Sequence, residues 1–573
     1  MPSPDDGAPA PRWLAAYPEP VDWYAPLPAR PVPDILDRAV ARFGQRPCLN
    51  FLGRTWTYER VGTLVARAAK GLRERGVGPG TRVALFLPNT PYFVVCYFAA
   101  LTCGAVVVNV NPLYAEQEIA RQIDDSESAV LVTLDLAVLY DKIARVLPQS
   151  RLGRVIVCPM ARILPLGKAL LFSVAKRSSL ARIPRDDRHV RFGSLVRNDG
   201  LAVPHRADPS DLAVLQYTGG TTGRPKGAML THANIAANVE QTRLWLTVGG
   251  TRTDREVVLG VLPLFHVFGM TVLMNTALDI GAELVLLPRF DAEDVARTVR
   301  KRRITNLPGV PTMFGALAEV AGQGHRDFSS IRTGFCGGAP LPAEVKQRFE
   351  TLAGCTVVEG YGLTEASPLV ACNPVTGVHK PDSIGLPVTG TTVEIVSLDD
   401  RRTVLPPGER GEICVRGPQV MRGYWNRPEE TAETLDDDGR LHTGDVGTMD
   451  EDGYVFLLDR LKDLIIAGGY NVYPHTVEEA IYAHPAVAEC VVAGVPDPYR
   501  GQTVKAYVTL REGESLTLEA LDRFLQDKLS PIERPKQLEV RESLPRTMIG
   551  KLSRKALLEE EAARAEQGEA PRA

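Results

Sequence analysis

Hydrophobic positions in the first quarter of the chain switch repeatedly between two periods. Residues 58–75 place Val61, Leu64, Val65, Ala68 and Leu72 on one face of a helix. Residues 34–43 carry the same spacing. Short apolar runs then alternate with helical stretches: 82–88, 106–111 and 129–134 read as strands, 92–101 and 115–123 as helices. Such alternation predicts an α/β protein whose sheets are layered by helices. Further on, 212–215 reads as a buried strand and 228–239 as a helix. Residues 384–417 alternate short strands with glycine turns, which predicts a small β-barrel-like subdomain. Near the end, 487–495 and 505–510 read as strands. Residues 516–529 read as a helix burying Leu518, Leu521 and Leu525.

Length divides this pattern into domains. One core is not expected to serve 573 residues. The expected layout is a Pro-rich tail or extended arm over 1–33, a large domain over 34–460, a small α+β domain over 461–556 and an Ala/Glu-rich frayed helix over 557–573. Residues 1–33 hold ten prolines and few aliphatics.

Composition mainly excludes. The net charge of −3 gives no bulk field for nucleic acid, so no nucleic-acid partner is expected. The nine cysteines form no CxxC pair and read as reduced cytosolic thiols. No apolar run is long enough to span a bilayer, and the N-terminus lacks a signal pattern. A cytoplasmic protein is expected. Residues 151–185 depart from the rest, with eight Arg/Lys, no Asp/Glu and interleaved Ile163, Leu164, Leu166, Leu170 and Leu171. Two readings stay open: a basic amphipathic surface lying peripherally on the inner face of an anionic membrane, and a solvated insertion packed on its own domain.

The chemistry concentrates in one stretch, Tyr217-Thr218-Gly219-Gly220-Thr221-Thr222-Gly223-Arg224-Pro225-Lys226-Gly227. Its glycines let backbone N–H groups approach an anion, and its Thr and Lys side chains add donors. That suits a polyphosphate. A Walker A loop needs Gly before its Lys and Ser/Thr after it, whereas Lys226 lies between Pro225 and Gly227. Downstream, Tyr361-Gly362-Leu363-Thr364-Glu365 follows an apolar strand. A hydroxyl there can bond an α-phosphate, a carboxylate suits Mg²⁺, and Tyr361 offers a ring face to a base. Asp445, in His442-Thr443-Gly444-Asp445, has two acceptor oxygens that match ribose hydroxyls. The turn Gly337-Gly338-Ala339 lets a flat ring or acyl chain lie against backbone.

These strings, in this order, resemble the acyl-adenylate-forming superfamily over roughly residues 34–555. Val107-Val108-Asn109-Val110-Asn111-Pro112-Leu113-Tyr114 and Gly417-Pro418-Gln419-Val420-Met421 are most similar to bacterial long-chain fatty-acyl-CoA synthetases. The resemblance implies activation of a fatty acid by ATP with Mg²⁺, then transfer to coenzyme A. Thr218, Gly219, Gly220, Thr221, Thr222, Gly223 and Lys226 would hold phosphates. Gly338, Ala339, Glu359, Gly360 and Tyr361 would flank adenine; Asp445 and Arg460 would reach the ribose. His266, Val267, Phe268, Val310, Gly337, Gly338 and Gly362 would line the acid's site. Thr364 would bond the α-phosphate and Glu365 would hold the metal. Lys551 would bridge carboxylate and α-phosphate, and Lys462 would be the hinge about which a mobile C-terminal domain swivels.

No acidic residue lies between Val261 and Asn275 to pair a substrate amine, which argues against an amino acid. A ligase loading a carrier protein, a medium-chain or 4-coumarate-like CoA ligase, and a lipid-binding pseudo-synthetase remain as alternatives. Thr476, the run Ser530-Pro531-Ile532-Glu533-Arg534, and Met548-Ile549 depart from the family pattern, all in the C-terminal domain. A homodimer is expected by analogy only.

Overall fold

The computed structural model describes residues 10–175, 177–201, 205–218, 225–247, 256–322, 327–467, 470–497, 500–547 and 552–566. It is a mixed α/β chain in two compact units. The first comprises residues 1–392, 415–441 and 452–454; the second comprises 393–414, 442–451 and 455–573.

The first unit contains two large sheets. In the seven-stranded sheet, His189–Arg191, Arg154–Cys158, Val130–Leu134, Arg82–Leu85, Val106–Asn109 and Leu212–Thr218 run parallel in that order, and Lys226–Thr231 closes the edge antiparallel. Strands Val106–Asn109 and Val130–Leu134 are buried on both faces and therefore read as continuous apolar runs. Helix Pro91–Thr102 is buried from Pro91 to Leu101, so its sequence is apolar all round. Helix Tyr58–Arg73 keeps the expected face: Val61, Val65, Ala68 and Leu72 are buried, and Leu64 is half-buried. Thr57 caps it by accepting the Arg60 N–H.

The nine-stranded sheet has the parallel centre that carries the site. Asn306–Gly309, Thr333–Gly337 and Thr356–Gly362 are adjacent and in register, with Gly337 beside Gly360.

The second unit contains a four-stranded sheet, Thr392–Val396, Gly411–Arg416, Leu441–Met449 and Val455–Arg460, in the barrel-like region; its outer residues cross into the first unit. Its other sheet pairs Val487–Asp497 with Gly501–Leu510 around a core that includes Val477, Val492, Val508, Leu521 and Leu525. Helix Leu518–Leu525 is shorter than the expected 516–529, though Leu521 and Leu525 are buried as expected.

Two expectations need correction, and a third is made specific. Residues 228–239 are not one helix: Lys226–Thr231 is a strand, and the helix is His232–Thr247. The strand pairs with Leu212–Thr218 on one side, while Met229 exchanges backbone hydrogen bonds with Gly423 and Arg422 on the other. The glycine stretch thus links two strands of a hairpin and does not open a helix. The tail beyond 557 is not frayed over its described part. Helix Arg554–Glu566 buries Leu557, and Glu561 and Arg564 join Lys505 and Glu539 in an ion-pair network. The Pro-rich N-terminus is an extended arm fastened by aromatic side chains. Trp13 and Trp23 are buried, Trp23 Nε1 donates to the Thr391 carbonyl at 3.1 Å, and Tyr17 Oη donates to the Pro387 carbonyl at 2.6 Å.

His232 adds a pH-sensitive fastening to that arm. Its Nδ1 accepts the Val32 N–H at 3.1 Å, so the ring must be neutral there. Burial lowers its pKa to about 4, against the opposing pull of Asp211. The folded value lies below the ordinary one, so the stabilisation is complete above about pH 6.5 and is lost as pH falls toward 4. The difference corresponds to roughly 3 kcal/mol. Urea unfolding is expected to show a steep loss of stability between pH 7 and pH 4.5 that His232→Gln flattens. An unchanged slope in that variant would contradict the assignment.

Among the described residues, no helix is long and apolar enough to cross a membrane.

Candidate active site

The site is assembled where the parallel strands of the nine-stranded sheet end. Gly337 and Gly360 lie side by side, and a Cβ added at Gly337 would touch both the Gly360 carbonyl oxygen, at 3.1 Å, and the Phe268 ring, at 3.3 Å. Phe268 also meets Phe335 edge-on, with ring centroids 5.7 Å apart. Residues from three separate stretches thus converge on one apolar corner with backbone exposed beside it. Gly338 follows with φ +87°, a conformation that a Cβ would strain, and turns the chain out toward Ala339. Val310 is buried just past its strand, where its carbonyl accepts the Met313 N–H at 2.9 Å.

His266 is held by its own turn and by what lies beneath. Its N–H donates to the Pro263 carbonyl, its carbonyl accepts the Met270 N–H, and its Nδ1 accepts the Phe268 N–H at 3.3 Å. Asn89 accepts the Leu264 N–H and donates to the Gly260 and Leu262 carbonyls, fixing the approach to the turn. Gln216 donates to the Phe265 carbonyl at 2.9 Å and accepts from Asn109 at 2.8 Å. Gly269 is required, because a Cβ there would overlap the Pro263 carbonyl. The chain then runs as a π-helix over Phe268–Asn275. Such windings are rare and recur at functional sites.

Thr364 and Glu365 leave the end of Thr356–Gly362 on a single 3₁₀ turn, Thr364–Ala366. Glu365 is half-buried. Its backbone carbonyl accepts the Met421 N–H at 2.7 Å, and its Oε1 accepts the Tyr424 hydroxyl at 2.7 Å. Burial and that carboxylate raise the Tyr424 pKa, so the phenol keeps its proton. Lys226 Nζ lies 5.1 Å from the Tyr424 ring centroid. Tyr424 therefore joins Lys226, at the start of strand Lys226–Thr231, to the Glu365 turn. Thr218 stands opposite Lys226 at the end of the paired strands. Beneath them, Tyr217 donates to Asp125 at 2.6 Å, and Arg427 pairs with the same carboxylate at 2.7 Å.

Glu359 points its carboxylate toward Lys346, 3.6 Å away. Burial raises its pKa, and Lys346 opposes that shift. Tyr361 is buried, at 8 % exposure.

In the second unit, Asp445 and Arg460 stand opposite each other on antiparallel strands, with Arg460 Nε 2.9 Å from Asp445 Oδ1. Lys462 lies in the 3₁₀ turn Leu461–Asp463, and burial together with Arg460 lowers its pKa. Gly219, Gly220, Thr221, Thr222, Gly223 and Lys551 lie outside the described residues.

The chemical sense of the arrangement is an anion-handling site beside an apolar slot. Glu365 fits a hard divalent cation by donor type, a carboxylate with one oxygen accepting the Tyr424 hydroxyl. Tyr424, Gln216 and Asn89 were not singled out from the sequence. The signal for Tyr424 was its place in Gly423-Tyr424-Trp425, one residue beyond the Gly417–Met421 string. Gln216 and Asn89 act through backbone groups far away in sequence and leave no local signal.

Comparison with known proteins agrees with this geometry. Residues 36–425 match the AMP-binding enzyme family, and residues 476–551 match the AMP-binding enzyme C-terminal domain. The chain is 43 % identical to a long-chain-fatty-acid–CoA ligase of Bacillus subtilis, over 96 % of this chain and 98 % of that one. It is 36 % identical to a feruloyl-CoA synthase of an Amycolatopsis species, over 87 % and 93 %. The ATP-bound crystal structure of MatB from Rhodopseudomonas palustris superposes with a TM-score of 0.80 at 29 % identity, covering 92 % of this chain and 98 % of that one. Sequence, fold and the strand-end site together place the chain in the AMP-binding enzyme family, within the acyl-adenylate-forming superfamily.

Proposed function

We propose that this enzyme activates a long-chain fatty acid with ATP and transfers the acyl group to coenzyme A. The observation that carries the reading is the convergence of Phe268, Gly337 and Gly360 beside the His266 turn and the Thr364–Glu365 turn. It sets an apolar slot next to groups suited to phosphate. Phe335, which packs edge-on against Phe268, also lines a small apolar cavity with Val272, Leu273, Thr276 and Ala277.

In the first step, a carboxylate oxygen of the acid bonds to the α-phosphorus of ATP, and the bond to the departing pyrophosphate breaks. The difficulty is bringing two anions together. Lys226, Thr218 and the glycine loop would hold phosphates, Thr364 would donate to the α-phosphate, and Lys551 would meet the charge as it develops. A Mg²⁺ ion, held by Glu365, would supply charge neutralisation when bound. In the second step the thiol sulfur of coenzyme A bonds to the acyl carbon and AMP leaves. We place the division between a body over 34–460 and a lid over 461–556 at the hinge Lys462, so that Lys551 is withdrawn between steps.

The test is a ladder of carboxylates from acetate to oleate, with ferulate, incubated with ATP, Mg²⁺ and coenzyme A, and read by mass spectrometry. Long-chain thioester and AMP are the expected products. Acyl-adenylate without thioester would move the protein to the carrier-protein ligases. Preference for ferulate would favour the aryl reading that the feruloyl-CoA relative suggests.

We also assign residues 151–185 to contact with an anionic bilayer. On helix Leu166–Ala175, Leu166, Leu170 and Leu171 are 90 %, 71 % and 66 % exposed, on a stretch without acidic residues. Ile163 and Leu164 are buried and anchor the segment. The pair Leu170→Glu and Leu171→Glu is expected to abolish co-flotation with phosphatidylglycerol vesicles and to leave activity on soluble acid unchanged. Undiminished flotation would count against the assignment.

A further inference from the structure

Beneath the stretch His442-Thr443-Gly444-Asp445 of strand Leu441–Met449 lies a buried carboxylate that the reaction as described does not use. Glu412 is on strand Gly411–Arg416, beside Leu441–Met449 in the four-stranded sheet, and is 1 % exposed. Burying a carboxylate is costly unless its oxygens are satisfied. Here both oxygens face that stretch. Oε1 accepts the Gly444 N–H at 2.9 Å, and Oε2 lies 2.8 Å from His442 Nδ1. Arg401 Nε stands 3.6 Å from the same Oε2. The residue between is fixed as well: Thr443 Oγ1 donates to the Ile413 carbonyl at 2.7 Å and accepts the Asp445 N–H at 3.1 Å. Gly444 takes φ +71°, where a side chain would be strained. Every residue leading into Asp445 is therefore held from the neighbouring strand, and Asp445 itself is 2 % exposed.

Glu412, Cys414 and His442 also form the one group of metal-type donors found among the described residues, with Cys414 Sγ 3.4 Å from His442 Nδ1. A metal would have to break the two hydrogen bonds that Glu412 already makes. The trio is better explained as an internal support.

We propose that Glu412, through His442 and the Gly444 N–H, is a positioning residue that presets Asp445 for the ribose hydroxyls of ATP. The inference rests on the assignment of Asp445 to the ribose. A side chain free to turn would have to be ordered each time a nucleotide binds, whereas a preset carboxylate avoids that loss. The effect must appear only with a nucleotide that has ribose hydroxyls to bind.

The experiment compares ATP with 2′,3′-dideoxy-ATP in steady-state kinetics of Glu412→Gln. The glutamine can still accept from Gly444, but its amide cannot accept a proton shared with His442. The KM for ATP is expected to rise about ten-fold with kcat within about two-fold, and the KM for the dideoxy nucleotide to stay within about two-fold. Equal rises for both nucleotides, or no rise for either, would overturn the proposal. His442→Gln removes the other end of the pair and is expected to give the same selective pattern, so a poorly folded Glu412 variant does not decide the matter. Asp445→Ala separates the two levels of the argument. Selectivity in Asp445→Ala with none in the Glu412 and His442 variants would refute the positioning alone. No selectivity in Asp445→Ala would refute the ribose assignment itself.

Discussion

Lys551→Ala is expected to slow formation of the acyl-adenylate by about 10²–10³, the range seen when one electrostatic donor to a transition state is removed. The motif Leu544-Pro545-Arg546-Thr547-Met548-Ile549-Gly550-Lys551 places this lysine on a glycine-bearing loop late in the chain. Directly after it, helix Arg554–Glu566 is well anchored. Arg554 is paired with Asp463 at 2.9 Å and Glu478 at 2.8 Å, and it donates to the Val492 carbonyl. Transfer from preformed acyl-adenylate to coenzyme A should be spared, because the proposed rotation withdraws Lys551 before that step. ATP–pyrophosphate exchange and single-turnover thioester formation measure the two halves separately. Equal losses in both would remove the division of labour between conformations.

Glu365→Gln should be comparably damaging, about 10²-fold in kcat, for a different reason. The amide keeps the shape and still accepts the Tyr424 hydroxyl, but it loses the negative charge that suits Mg²⁺. Tyr424→Phe should cost far less, about three- to ten-fold, and should show itself as a raised Mg²⁺ requirement. It leaves the charge and removes only the bond that aims it. A Mg²⁺ titration at saturating ATP separates these outcomes. A Glu365→Gln enzyme with an unchanged Mg²⁺ dependence would move the metal to other ligands.

Most of the chemistry was legible as short strings. The glycine loop, Tyr361-Gly362-Leu363-Thr364-Glu365 and His442-Thr443-Gly444-Asp445 each combine a turn with a donor or acceptor type that little but phosphate, metal or sugar requires. The buried parallel strands were legible too, because a strand covered on both faces leaves an uninterrupted apolar run. The stretch after Lys226 was not. Ala228, Leu230, Ile235, Ala236 and Val239 are all buried and fit a helix as readily as a strand followed by a helix. What decided it was pairing with Leu212–Thr218 and with the backbone at Arg422 and Gly423, nearly two hundred residues away. The Pro-rich arm likewise looked unsupported, since its aromatic anchors find their partners only across the fold, at Pro387 and Thr391.

The sequence by itself determined the family and the order of its motifs, and it supplied the residues proposed here to meet phosphate, metal and sugar. These depend on residue type and on spacing within a turn. Tertiary structure alone decided which distant stretches share the apolar corner at Phe268, Gly337 and Gly360. It also brought Tyr424 to Glu365 and placed Glu412 against His442 and the Gly444 N–H. Those relations follow from sheet register and from the satisfaction of buried hydrogen bonds, and neither is recorded in local spacing.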